Sequence, residues 1–201
     1  MIRFTPQPEP TAFDEQCRQP GRQWLVEHPG YTRPRDYWSE FEPDLRNVFK
    51  GWCAYCVMSV MRGQTDHFIP IDVLKETQQD HLAYEWSNFR YIEGVLNQRK
   101  KKALLLDPFE VKDDWFELLL PHLQLVLTDK VPEDIRGKAE FTLERLGLTN
   151  DTVIIRYRQK WFELYRNRKL TLEGLKEVAP QIARAVEADL HKGTDWRYPE
   201  S

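Results

Sequence analysis

The stretch from Cys53 to Lys102 leaves the chain the least freedom. It holds two apolar runs, Asp66–Ile71 and Phe89–Ile92, each short and bounded by turn-forming residues, so each is expected to be a strand. The next ten or so residues, Glu93 to Lys102, carry a helical period. Asn97 then shares a helix face with Lys100 or Lys101, at i+3 and i+4. The expected unit is strand, strand, helix, an α+β fold. The connection 71–87 is long for a hairpin; connections of that length without structure of their own are uncommon and often functional.

The flanks read as scaffold. Pro6, Pro8 and Pro10 fix φ and remove donors, which predicts an extended arm over 5–12. A helical period from Phe13 to Trp24 is interrupted by Pro20-Gly21, and Pro29-Gly30 and Pro34 mark a second irregular connection, which together predict two short helices with loops. Trp38, Phe41, Leu45, Val48 and Phe49 follow amphipathic spacing, with Gly51 placed as the residue that ends the helix. Beyond Asp107-Pro108, Trp115–Leu120 and Leu123–Leu127 read as a strand pair broken by Pro121. Helices are expected from Pro132 to Gly147, Thr152 to Arg168 and Thr171 to Lys192, the last kinked or split at Pro180. The organisation is an N-terminal arm with helices (1–50), a central unit (51–105) and a mainly helical region packed on it (106–201).

Set on that unit are Asp66-His67-x-x-Pro70, then Asn88, then Asn97-x-x-Lys100, with Cys53-x-x-Cys56 ahead of them. This resembles the core of His-Asn-His (HNH) endonucleases in the variant that ends in Asn. The resemblance implies a ββα-metal core embedded in an otherwise helical chain. It also implies a metal-dependent endonuclease that hydrolyses DNA phosphodiester bonds, by nicking or double-strand cutting. His67 and Asn88 take the catalytic positions, His67 as general base and Asn88 orienting it or bracing the loop. Asp66 and Asn97 take those of ligands to one Mg²⁺ or Mn²⁺ ion.

Side-chain chemistry points the same way. An imidazole with a reference pKa of about 6.5 accepts a proton near neutrality. Carboxylate and amide oxygens suit a hard divalent cation that keeps open positions for phosphate. Neighbours on a strand point to opposite faces, so Asp66 and His67 converge only if the strand bends or ends there. Arg90, Arg99, Lys100, Lys101 and Lys102 form the expected basic patch for phosphates, an affinity that reads no base sequence.

Zinc-bearing relatives of this motif carry a second cysteine pair where this chain has Glu93 and Leu96. A closed tetrahedral site needs four ligands, so structural Zn²⁺ is not expected. Cys53 and Cys56 are a residual zinc half-site now serving as core residues, the competing arrangement being one completed by Glu93 or His81. Around Leu106-Asp107-Pro108-Phe109 and Leu146-Gly147-Leu148 the chain is similar to HNH proteins of bacterial anti-phage defence systems of the retron, Septu and Zorya types. That implies an effector with DNA as substrate and an ATPase or other defence-system subunit as activating partner.

A formal charge of −3 over 201 residues advertises no polyanion partner, so any contact with nucleic acid is local. No run approaches the ~18 apolar residues of a membrane span, and the start lacks a signal-peptide core. A cytoplasmic protein with no membrane contact is expected. The alternative function is a non-catalytic nucleic-acid- or ATPase-binding subunit of a larger complex.

Overall fold

The computed structural model describes residues 1–199, and the chain is built around an antiparallel pair, β1 (Gly63–His67) and β2 (Phe89–Glu93), followed at once by α4 (Gly94–Lys100). The register sets Gly63 opposite Glu93, Thr65 opposite Tyr91, Asp66 opposite Arg90 and His67 opposite Phe89. Gly63 is required by that register, because a Cβ there would meet the Tyr91 ring at 2.3 Å. The Tyr91 hydroxyl also accepts the Gly63 N–H. The expected strand, strand, helix order holds, and the α+β class with it.

The first strand lies earlier than the apolar run implied. It starts at Gly63 and ends at His67, because Phe68 turns toward β2 and Pro70 caps the next helix. The 71–87 connection is not a bare loop. It folds into α3 (Ile71–Glu76) and two 3-10 turns, Asp80–Tyr84 and Trp86–Asn88.

The N-terminal segment wraps this centre. Met1, Ile2 and Phe4 are buried, the Phe4 N–H donates to the Pro108 carbonyl, and the Trp86 indole donates to the Gln7 carbonyl, so the proline-rich arm lies along the domain as expected. Pro20-Gly21 does not break the following helix, contrary to expectation. A π-helical turn, Asp14–Arg18, runs straight into α1 (Gln19–Glu27). Pro20 sits at the junction of the π-helical turn and α1, in the first turn of α1. Gly21 is there for contact: a Cβ would meet the Tyr84 ring at 2.3 Å. The Trp38–Phe49 segment is a 3-10 turn, Ser39–Phe41, leading into α2 (Glu42–Val48), and Gly51 adopts φ 70° after it.

The C-terminal region follows its sequence pattern closely. β3 (Phe116–Leu119) and β4 (Gln124–Leu127) form a second hairpin. Helix α5 (Glu133–Leu146) ends on left-handed Gly147, and α6 (Thr152–Arg166) starts on the Asp151 side chain, which accepts from Val153 and Ile154 N–H. The last helical stretch divides at Ala179 into α7 (Leu172–Val178) and α8, Pro180–His191, with Pro180 at the start of the second piece.

One apolar core joins these parts. Phe13 packs edge-on against Phe41, Trp86 and Phe89 at centroid distances of 5.1, 5.4 and 5.9 Å, tying the N-terminal segment to β2. Leu143, Phe162 and Val186 belong to the same cluster as Tyr55, Tyr91 and Leu96. Among the described residues no helix is long and apolar enough to cross a membrane.

Candidate active site

Asp66, His67, Asn97 and Lys101 line one cleft of about 230 Å³, together with Arg33, Pro34, Trp38, Thr65, Pro70 and Ile71. The two strand neighbours converge because β1 ends at His67 and the chain turns there. Asn88 holds that turn. Its Oδ1 accepts the Ile69 N–H at 2.7 Å, and its Nδ2 donates to the carbonyls of Ile69 (3.3 Å) and Leu82 (3.1 Å). It therefore ties the backbone just before the 71–87 connection to a carbonyl inside it. Its hydrogen bonds go to backbone and none to the His67 ring, so it is a positioning residue.

Asn88→Ala removes the three bonds and leaves buried backbone groups unpaired, at about 1–3 kcal/mol. The urea midpoint is expected to fall accordingly, and a midpoint unchanged from wild type would show that the turn holds itself.

His67 is oriented from two directions. Its Nε2 meets the Ala83 carbonyl at 2.9 Å; a carbonyl only accepts, so Nε2 carries the proton and Nδ1 the lone pair. The ring stands edge-on to Trp38 (4.6 Å, 89°) and Phe89 (5.2 Å, 81°). Burial pushes its pKa down to about 4, with Lys100 and Arg33 adding in the same direction against the Ala83 bond. Near neutrality His67 is an uncharged base.

Asp66 lies almost wholly inside. Burial raises its pKa to about 6 against the opposing pull of Lys100 and Arg90. Its Oδ1 accepts from Lys100 Nζ at 2.9 Å, while Oδ2 is buried with no hydrogen-bond partner. Asn97 donates from Nδ2 to Gln64 Oε1 at 2.9 Å, which leaves its Oδ1 lone pairs for another partner. Asp66 and Asn97 both line the cleft, and a carboxylate oxygen without a partner and an unused amide oxygen are the hard donor types that suit Mg²⁺ or Mn²⁺. Among the described residues there is no group of three or more His, Cys, Asp and Glu side chains arranged for a metal.

The expected basic patch needs correction. Arg90 is 2% exposed: Nε and Nη2 donate to the two Asp107 oxygens at 2.8 and 2.5 Å, and Nη1 donates to the Ser87 and Phe89 carbonyls. It faces inward because its position on β2 turns it toward the 106–109 segment. Lys100 is fully buried and donates to Asp66 and, at 2.7 Å, to the His67 carbonyl. Neither side chain is available to DNA. Arg99 is engaged as well, donating to the Leu146 carbonyl and pairing with Asp151 at 2.9 Å, which ties α4 to the end of α5 and the start of α6. Lys101 and Lys102 are the exposed members of the run, and Lys101 lies on the cleft.

The cysteines are interior. Cys53 and Cys56 are both buried, and the Cys56 thiol is held well above its ordinary pKa by its hydrogen bond with Cys53 and by burial. Glu93 does not join them; its carboxylate caps α4, accepting from Val95 and Leu96 N–H. His81 lines a different cavity of about 590 Å³ with Arg22, Tyr31 and Lys75, a larger space that contains none of the motif side chains.

Three cleft residues lie outside the motif: Pro34 reads as a loop marker and Trp38 as an apolar helix position, and Arg33 carries no signal. Arg33, Pro34 and Trp38 come from the irregular segment between α1 and α2, outside the Cys53–Lys102 stretch. The Ala83 carbonyl that sets the His67 tautomer is backbone, which no side-chain pattern reveals. Comparison with family models, curated proteins and solved structures finds no match to this chain.

Proposed function

We propose that this chain is a metal-dependent endonuclease hydrolysing DNA phosphodiester bonds, with His67 as general base and Asp66 and Asn97 as the residues that hold a divalent ion. The observation that carries the reading is the convergence, on one cleft, of an uncharged histidine with a set tautomer and a buried carboxylate with an unpaired oxygen.

His67 Nδ1 takes a proton from a water as that water's oxygen bonds to phosphorus and the bond to the departing sugar oxygen breaks. The Ala83 carbonyl stabilises the imidazolium so formed, because the Nε2–H it already receives becomes a stronger donor. Lys100 holds Asp66 in place by its ammonium and keeps that carboxylate ionised more readily than burial alone would allow. Lys101 and Arg33 place positive charge at the cleft for a phosphodiester. Asp66 and Asn97 would hold a divalent ion, which would supply Lewis-acid stabilisation of phosphoryl charge.

Supercoiled plasmid is expected to relax in the presence of Mg²⁺ or Mn²⁺ and to stay supercoiled in EDTA. Relaxation that is equal in EDTA, or absent with both metals, sinks the reading. The second reading, a non-catalytic nucleic-acid- or ATPase-binding subunit, draws its support from Lys100, whose ammonium already neutralises Asp66. It predicts DNA retention that is indifferent to metal and no relaxation. An effector role in anti-phage defence, in the cytoplasm and under control of an ATPase or another subunit, is the wider proposal. It rests on the resemblance around Leu106 and Leu146, positions that are also core residues here.

A further inference from the structure

The candidate cleft adjoins a second cavity. The two share Arg33, Trp38, Thr65 and Asn97, so a strand lying across Asp66 and His67 has its next nucleotide at the mouth of that space. The second cavity is about 510 Å³, within the range of small-ligand sites. Its wall is unlike a phosphate track. Besides Arg33 and Arg62 it presents the carboxylates of Asp36 and Glu42, which would repel a polyanion unless they met hydrogen-bond donors.

One of the two carboxylates is held in place before anything binds. Asp36 accepts from the Ser39 N–H at 3.0 Å and the Ser39 hydroxyl at 2.5 Å, while Glu42 lines the cavity from the first turn of α2. Asp36 keeps lone pairs unused by those bonds. Gln64 has its Oε1 taken by Asn97, so its amide N–H groups remain as donors on the same wall.

We propose that this cavity is a base-specific subsite that takes an unpaired guanine next to the scissile phosphate, a reading that rests on the nuclease assignment of the adjoining cleft. Guanine alone among the DNA bases sets two N–H donors side by side, at N1 and N2, which a carboxylate accepts together. On its other edge O6 and N7 accept from a guanidinium, here Arg62. Thymine offers one N–H and two carbonyls and leaves a carboxylate poorly matched. Sequence-specific proteins read splayed, unpaired bases of RNA on their hydrogen-bonding edges, and the same readout applies to an unpaired DNA base. The subsite thus gives base preference to a nuclease whose phosphate contacts carry none.

The test uses full-length protein and short labelled oligothymidylates carrying a single guanine, adenine or cytosine. Binding is followed by fluorescence anisotropy in EDTA, and cutting by single-turnover assay with Mn²⁺. Wild type is expected to bind the guanine strand about tenfold or more tighter than the all-thymine strand and to cut it beside the guanine. Glu42→Gln and Arg62→Ala should each bring that ratio toward one, Arg62 being an exposed loop residue whose loss leaves the core intact. Wild-type cutting with equal rates and affinities on all four strands overturns the subsite and leaves the nuclease reading standing. Guanine-selective binding lost in both variants, without cutting, upholds the subsite and removes the nuclease reading. Neither binding nor cutting removes both.

Discussion

Arg90→Ala is expected to lower folding stability by about 3–5 kcal/mol, the loss typical of removing one partner from a buried ion pair. Three features set the size of the effect. The guanidinium meets Asp107 in a two-point fork that only arginine makes, so Arg90→Lys should recover little. Its remaining donors satisfy the Ser87 and Phe89 carbonyls at the junction where the 71–87 connection enters β2. The planar group also lies against the Phe109 ring at 4.0 Å and the Phe68 ring at 4.8 Å, so alanine leaves a gap between two aromatic side chains. Against a total stability of about 5–15 kcal/mol for a typical domain, such a loss depopulates the native state at physiological temperature. Urea unfolding of Arg90→Ala, Asp107→Ala and the pair is the measurement. The double variant should lose less than the sum of the singles, since each single strands a charge that the double removes. A loss under about 1 kcal/mol, the scale of an exposed ion pair, together with weakened DNA binding, would return Arg90 to the surface role its position in the sequence first implied.

Arg90 and Lys100 mark where sequence reading stops. Apolar pattern exposed β2, α4, the second hairpin and the C-terminal helices, whose buried positions recur at strand or helix spacing. It misplaced the first strand: Gly63, Gln64 and Thr65 look like turn residues, and only Tyr91 across the sheet explains the glycine. It broke α1 at Pro20-Gly21, since propensity cannot know that the Tyr84 ring will press on the backbone there. Charge was misread for a related reason. A run of arginine and lysine looks like a solvated face, and which members turn inward depends on carboxylates distant in sequence. Asp66 takes Lys100 and Asp107 takes Arg90, while Lys101 and Lys102 stay outside. For the site, the residues Asp66, His67, Asn88 and Asn97 were visible as a pattern. Their supports, Arg33, Trp38 and the Ala83 carbonyl, come from segments whose pattern carries no sign of the chemistry.

His67→Ala should reduce single-turnover cleavage by about 10²- to 10⁴-fold, the usual contribution of a positioned general base, with the fold retained. The ring makes one hydrogen bond, to Ala83, and two edge-on aromatic contacts, so its removal also costs some stability, on the order of 1 kcal/mol per contact. The readout must therefore separate chemistry from folding. Imidazole added to His67→Ala does so: the variant leaves a ring-sized space walled by Trp38 and Phe89, and a diffusing imidazole can occupy it and accept the water's proton. Partial recovery of cutting that rises with imidazole concentration, at an unchanged melting temperature, identifies His67 as the base. Asn88→Ala serves as the contrast, because a defect in the backbone turn has no missing base to replace and should not respond. If His67→Ala cuts within a few-fold of wild type, or if imidazole restores Asn88→Ala equally, the histidine is a packing residue between Trp38 and Phe89. The proton would then have to leave through another group on the cleft, and Asp66, with its raised pKa and its unpaired Oδ2, is the one the geometry offers.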